Sequence, residues 1–162
     1  MEIVTICAII TIYDITVDTN VIFSALYSNR GASHLIVKMI IDEEIKLAVS
    51  PQIYFEYYDV LMREENLKLL NLSVKKGEDF LDLLALLAQK HSIYYLLRPN
   101  LPDENDNIFM ECAFASNSDY LVTSNIKDFK QGELKGFGFR VVTPKEFYKM
   151  LSRRDSFGGG QK

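Results

Sequence analysis

No apolar run in this chain of 162 residues reaches the roughly 18 to 20 residues that a membrane-spanning helix needs. Mean hydropathy is near zero, so no membrane association is expected. The N-terminal run IVTICAIITIY (residues 3–13) is apolar but short. It lacks a basic leading region and a small-residue cleavage site, and so does not read as a secretory signal. Cysteine is scarce: Cys7 and Cys112 stand far apart. That excludes a disulfide framework and a cysteine-based metal site, and a reducing cytoplasm is the expected compartment. Histidine is equally scarce. His34 and His91 fall on expected helices without a matching Ser or Cys and read as structural or surface groups. The glycines of FKQGELKGFGF do not have phosphate-loop spacing. Positive charge is not in excess either, the net charge being −4. That weighs against a protein that coats nucleic acid by bulk charge, but not against a nucleic-acid enzyme whose acidic pocket holds cations.

What is present is a regular alternation. Apolar β-rich stretches at 13–17, 46–50, 92–97, 120–124 and 139–143 read as strands. Helical spacing appears at 20–28, 32–45, 51–65, 74–91, 107–115 and 144–151. Ser50 followed by Pro51 is a cap with proline at the first helical position. Residues 98–106 and 125–138 read as loops. This predicts a three-layer α/β/α sandwich around a mostly parallel sheet. One domain over 13–152 is expected, with an N-terminal extension at 1–12 that is a candidate added strand, and a flexible tail at 153–162.

In such sheets ligands bind beyond the carboxyl ends of the strands. The first strand delivers Asp18 and Asn20, and the second leads into a helix carrying Glu56. The third is followed by Asp103, Glu104 and Asp106, and the fourth ends in Thr123, Ser124 and Asn125. None of these ends supplies Lys, Arg or His. If they share one edge, the carboxylates repel one another, and burial adds to the cost. A divalent cation reverses it. Oxygen donors without histidine suit Mg²⁺ or Mn²⁺ rather than zinc, and such an ion equips a site to attack a phosphodiester. Each residue also has a plainer reading. Asp18 suits a helix N-cap, and Glu56 a solvated helix surface. Asp103 and Asp106 suit a turn and a helix start, and Asn125 a left-handed turn position.

Three segments in order, VDTNVIFSAL, AVSPQIYFEYYDVL and LPDENDNIFMECAFASNSDYLVTSNIKDF, resemble the PIN domain, in particular the toxin components of toxin–antitoxin pairs. The resemblance spans residues 15–151. It implies the same sandwich fold and a Mg²⁺- or Mn²⁺-dependent ribonuclease. The family's metal-site acids fall on Asp18, Glu56 and Asp106, which are the expected catalytic residues, with Asp103 as a further acid just upstream. Thr123 matches the accompanying hydroxyl, and Asn20 the polar residue after the first acid. A fourth family acid falls on Asn125, an amide that can ligate but brings no charge. Asp128, three residues on, is the nearest substitute. The expected partners are an RNA substrate, a small antitoxin, and a second copy in a homodimer or higher even oligomer. Two alternatives stand beside this reading. One is a module of the same fold that binds RNA or protein without cleaving. The other is a metal-dependent phosphatase, although its usual second acid is replaced by Asn20.

Overall fold

The structure is a computed structural model that describes residues 12–94, 96, 103–130 and 138–158. Among these residues, five strands form one parallel sheet: β1 (Asp14–Val17), β2 (Lys46–Val49), β3 (Gln89–Lys90), β4 (Tyr120–Val122) and β5 (Arg140–Val142). Their order is β3-β2-β1-β4-β5. Ile15 pairs with Leu47 on one side and Tyr120 on the other, and Val122 pairs with Val142. Residues 1–11, including most of the candidate added strand, lie outside the described residues.

The connections from β1 to β2 and β2 to β3 step one way across the sheet. The path then returns past β1 to β4 and on to β5. Right-handed crossovers therefore put α1 (Thr19–Tyr27), α2 (Ala32–Ile41), α3 (Pro51–Leu61), α4 (Glu64–Leu70) and α5 (Val74–Leu87) on one face. They put α6 (Asn107–Ala115) and α7 (Ile126–Lys130) on the other. The last helix, α8 (Pro144–Gly158), packs on α2. This is the three-layer α/β/α sandwich expected from the alternation. The core lies between the layers, where Ile15, Val17, Leu121 and Val122 from the sheet meet Ile22, Ile36, Phe109 and Phe147 from the helices, all fully buried. No helix among the described residues is long and apolar enough to cross a membrane.

Several boundaries differ from the sequence reading. The helix expected over 32–45 stops at Ile41, and Glu43 takes a left-handed φ of 57°. The helix expected over 51–65 ends at Leu61, and α4 starts separately after an extended Arg63. The strand expected at 92–97 lies earlier, at Gln89–Lys90. Residues 95 and 97 of the expected strand lie outside the described residues; among the described ones its one neighbour, β2, ends at Val49 and turns directly into Pro51, so after the bond from His91 N–H to Val49 O (2.9 Å) the ladder stops. Part of the expected 125–138 loop is α7. The helix expected to end near Leu151 continues to Gly158, through residues 153–158 that were expected in the flexible tail.

One buried contact fixes the sheet to α3. The phenol of Tyr57, fully buried on that helix, donates a hydrogen bond to the carbonyl of Val17, the last residue of β1. Phe109 of α6 lies almost parallel to the Tyr57 ring, with centroids 6.4 Å apart. The Tyr57→Phe variant keeps this packing and removes only the hydroxyl. We expect it to lose about 1 kcal/mol in urea unfolding, the usual worth of a buried hydrogen bond, and unchanged stability would show that the bond contributes nothing.

Candidate functional site

The strand order reverses between β1 and β4, so these two carboxyl ends flank the crevice in which ligands of open α/β sheets bind. Asp18 follows β1 and Thr123 follows β4. Asp18 N–H donates to Val122 O at 2.9 Å, which holds the two ends in register. Asp18 occupies the N-cap position of α1 but makes no capping side-chain hydrogen bond. Its Oδ2 instead accepts from the Thr123 hydroxyl at 2.6 Å and from the Asn20 amide at 2.8 Å. The capping position of Asp18 is therefore as expected, but its side-chain hydrogen bonds run to Thr123 and Asn20. Asn20 also accepts from the Ser124 N–H at 3.2 Å through Oδ1, and Thr123 accepts from the Asn125 N–H at 3.0 Å. Thr123 is fully buried and Asp18 only 5% exposed. Burial raises the proton affinity of Asp18, opposed by the Thr123 bond and by the N–H groups of Asn20 and Thr19.

The other acids surround this pair. Asp106 ends a short 3-10 turn (Glu104–Asp106) and precedes α6, again without a capping bond from its side chain. Burial, then the charges of Asp18, Asp103, Asp128 and Glu56, push its carboxyl up to about 7. Glu56 lies partly buried on α3, one residue before Tyr57. Ser50 accepts from Ile53 N–H at 3.3 Å and Pro51 opens the helix, as the sequence predicts. Burial and Asp59 raise the proton affinity of Glu56. Arg63 opposes them, and Asp18 and Asp103 add to the rise. Asp103 is exposed, and its Oδ1 accepts from Asn105 N–H at 2.9 Å, so the turn-forming role expected of it is met. Asn125 is exposed and donates its amide to Asp128.

Asp18, Glu56, Asp103, Asp106 and Asp128 thus lie within one another's electrostatic reach. Thr123 and Asn20 hold Asp18 directly, while Asn125 joins the group through Thr123 and Asp128. Among the described residues, no three of His, Cys, Asp and Glu converge closely enough to make a ready metal-ligand set. The donor chemistry nonetheless fits a hard cation. The side chains in range are oxygen donors, the charges that act on Asp106 are all negative, and Mg²⁺ is commonly held by one or two carboxylates with water completing its shell.

Sequence reading missed three features of this region. Tyr57 looks like an ordinary apolar stripe residue. Asn107, directly after Asp106, is fully buried with neither its amide nitrogen nor its oxygen hydrogen-bonded among the described residues. Such a group costs about 1–3 kcal/mol, and its one sequence signal is an amide leading an otherwise apolar segment, NIFM. The third is a cleft beside Asp18, bordered by Asn20, Phe23, Ser24, Val60 and Asn66. Cys112 offers no rival chemistry, since burial pushes its thiol up to about 11.

Comparison with known proteins bears on the family and the fold. A family model described as PIN domain matches residues 14–127. An uncharacterized protein of Methanocaldococcus jannaschii is 28% identical over 153 residues, covering 86% of this chain and 92% of that protein. The fold is similar to VapBC2 from Rickettsia felis, solved bound to a DNA fragment from its promoter. The TM-score is 0.55 at 16% identity, over 80% of this chain and 98% of the other.

The acids generate a pH prediction for the protein without divalent cations. Asp106 binds its proton more tightly when folded, at about 7 against an ordinary 3.8. Its contribution to stability is therefore complete below about pH 4 and lost as the pH rises through 7. Asp106→Asn removes this dependence. Between pH 5 and 8 the stability difference should move in the variant's favour by about 1–2 kcal/mol, allowing for the half-exposed position of the group. Denaturation in EDTA at both pH values checks it, and parallel curves would refute it.

Proposed function

The chain belongs to the PIN domain family, and on that premise we propose that it is a divalent-cation-dependent endoribonuclease acting as the toxin of a toxin–antitoxin pair. The observation that carries the reading is the group of acids at the β1–β4 crevice. Asp106 resists ionisation first because it is partly buried and then because the charges of Asp18, Asp103, Asp128 and Glu56 act on it, and a cation of charge two relieves that repulsion. Asp18, Glu56 and Asp106 would hold the ion, with Asp103 and Asn125 completing or orienting the shell. Bound there, Mg²⁺ or Mn²⁺ supplies neutralisation of phosphate charge and acidification of water.

The side chains have distinct parts in the reaction. Thr123 and Asn20 oppose the rise that burial imposes on the Asp18 carboxyl and fix its Oδ2, and Asp18 borders the cleft. A carboxylate of the group takes the proton from the water that attacks the phosphodiester. Asn125 brings no charge of its own and ties Asp128 in place, which favours one tightly held ion over two.

The partner and the compartment belong to the same reading. The outer surface of α3 and α5 exposes Phe55 (69%) and Leu86 (77%). This apolar area suits a small antitoxin or a second copy in an even oligomer. We place the protein in the cytoplasm, where its RNA substrate is found.

The uncharged Asn125, together with the lack of a ready three-ligand set among the described residues, favours the non-cleaving module as the second reading. Cleavage of single-stranded RNA in Mn²⁺ separates the two. Wild type should cleave, EDTA should abolish cleavage, and Asp18→Asn should lose at least about 100-fold, since changes merely supporting a metal ligand cost 10–100-fold. Equal low activity in both proteins would point to the module. A labile acyl-phosphate on Asp18 would point instead to a phosphatase.

A further inference from the structure

The outward face of α1 leads from Asp18 toward solvent. Asn20, Phe23, Ser24 and Tyr27 fall at i, i+3, i+4 and i+7 and so share one side of the helix, while Val21, Ile22 and Ala25 are buried. Asp18 and Phe23 border the same open cleft of about 450 Å³, with Val60 and Asn66 across from them. That volume is within the range of small-ligand sites. The Phe23 and Tyr27 rings are parallel to within 13°, with centroids 6.4 Å apart. Phe23 is half-buried, but Tyr27 is 61% exposed, so its ring is not committed to the core. Asn66 donates one amide hydrogen to Val60 O at 2.7 Å, and its side-chain oxygen has no partner among the described residues.

We infer that this cleft, extended by the Tyr27 ring that adjoins Phe23 at its edge, is a base-binding subsite, in which unpaired bases next to the phosphate that a divalent cation would seat at Asp18 stack along Phe23 and Tyr27 while Asn66 bonds a base edge. The identity of the ligand rests on the nuclease reading above. Three observations favour bases over an apolar peptide. Parallel aromatic faces accept any base, because every base has a π-face. An amide with a free acceptor and a remaining donor hydrogen matches the edge of an unpaired base. The two rings stand four residues apart, roughly 6 Å along the helix, close to two base steps of a strand at about 3.4 Å each. A duplex hides its base faces, so the subsite selects single-stranded RNA.

The test uses the full chain and fluorescent single-stranded oligoribonucleotides in Ca²⁺, which neutralises the acids in place of the Mg²⁺ or Mn²⁺ proposed for cleavage, with the integrity of the probe checked on a gel. A parallel set carries one abasic site moved along the strand. Tyr27→Ala should weaken binding of intact RNA about fivefold or more, the usual effect of losing one stacked base. Tyr27→Phe should bind like wild type. At one abasic position, wild type and Tyr27→Ala should bind alike. Equal weakening at every abasic position, no effect of Tyr27→Ala, or no binding by wild type overturns the inference. So does a Tyr27→Ala variant that loses affinity for a purified partner protein and keeps its RNA affinity. The two readings fail separately. A wild type that binds with base-dependent use of Tyr27 but does not cleave sinks the nuclease and supports the subsite. One that cleaves without any Tyr27 effect sinks the subsite alone.

Discussion

The buried carboxylate of Asp18 governs the arrangement around it. A charge withdrawn from water at the end of a strand is costly unless donors meet it. Here one oxygen, Oδ2, receives a hydroxyl from the neighbouring strand end and an amide from the helix that follows. For Thr123 to reach it, β4 must lie directly against β1, although more than a hundred residues separate the two partners. That adjacency is the point where the strand order reverses, and it opens the crevice. Tyr57 adds a third tie by bonding the Val17 carbonyl, one residue before Asp18. The helix that bears Glu56 is therefore fixed to the same peptide that carries Asp18. The position of the acids follows from the packing of strands and helices, not from the loops alone.

A second polar pair shows how different this group is from ordinary internal polarity. Thr16 and Ser118, both buried, bond one another at 3.0 Å between β1 and the turn before β4. Both are neutral, and the pair is closed on the protein's own terms. At the crevice the count of donors and charges does not close. Asp18 has two side-chain donors, but Asp106 and Glu56 have only other acids and burial acting to raise their proton affinity, with Arg63 near Glu56 as the opposing charge. Asn107 adds a buried amide without a hydrogen bond among the described residues. Folding retains such unmet groups mainly where something else is to be bound.

Much of this was legible in the chain because it depends on local signals. A β-rich apolar run ending in Asp-Thr-Asn marks the end of β1, and Ser50-Pro51 marks the start of α3. Both follow from capping and backbone preferences that act over a few residues. Their convergence at one sheet edge was also legible, since parallel strands in a right-handed βα fold all end on the same side. What was not legible depends on partners distant in sequence. The apolar stretch 92–97 satisfies every local rule for a strand, yet the ladder stops where β2 turns into its helix. The roles of Tyr57 and Phe23 depend on which neighbours the fold brings to them. An aromatic in an amphipathic helix looks the same whether it seals a core or borders a cleft.

Asn125 shows how one departure reshapes the site without dismantling it. The PIN-domain resemblance leads one to expect an acid at this position, two residues beyond Thr123. Here the amide donates to Asp128 instead. Asp128 lies in the first turn of α7, and its charge still reaches Asp106. The negative charge has therefore moved about one helical turn away from the strand end rather than disappeared. Coulomb interactions weaken with distance and with exposure to water, so the field at the crevice is lower than four clustered acids would give. The hydrogen bonds around Asp18 do not depend on that field, because the Asn125 backbone N–H still supports Thr123 at 3.0 Å. The arrangement separates two effects that one acid would combine: the strand-end backbone supports Thr123 and through it Asp18, and the displaced carboxylate adds to the negative charge acting on Asp106.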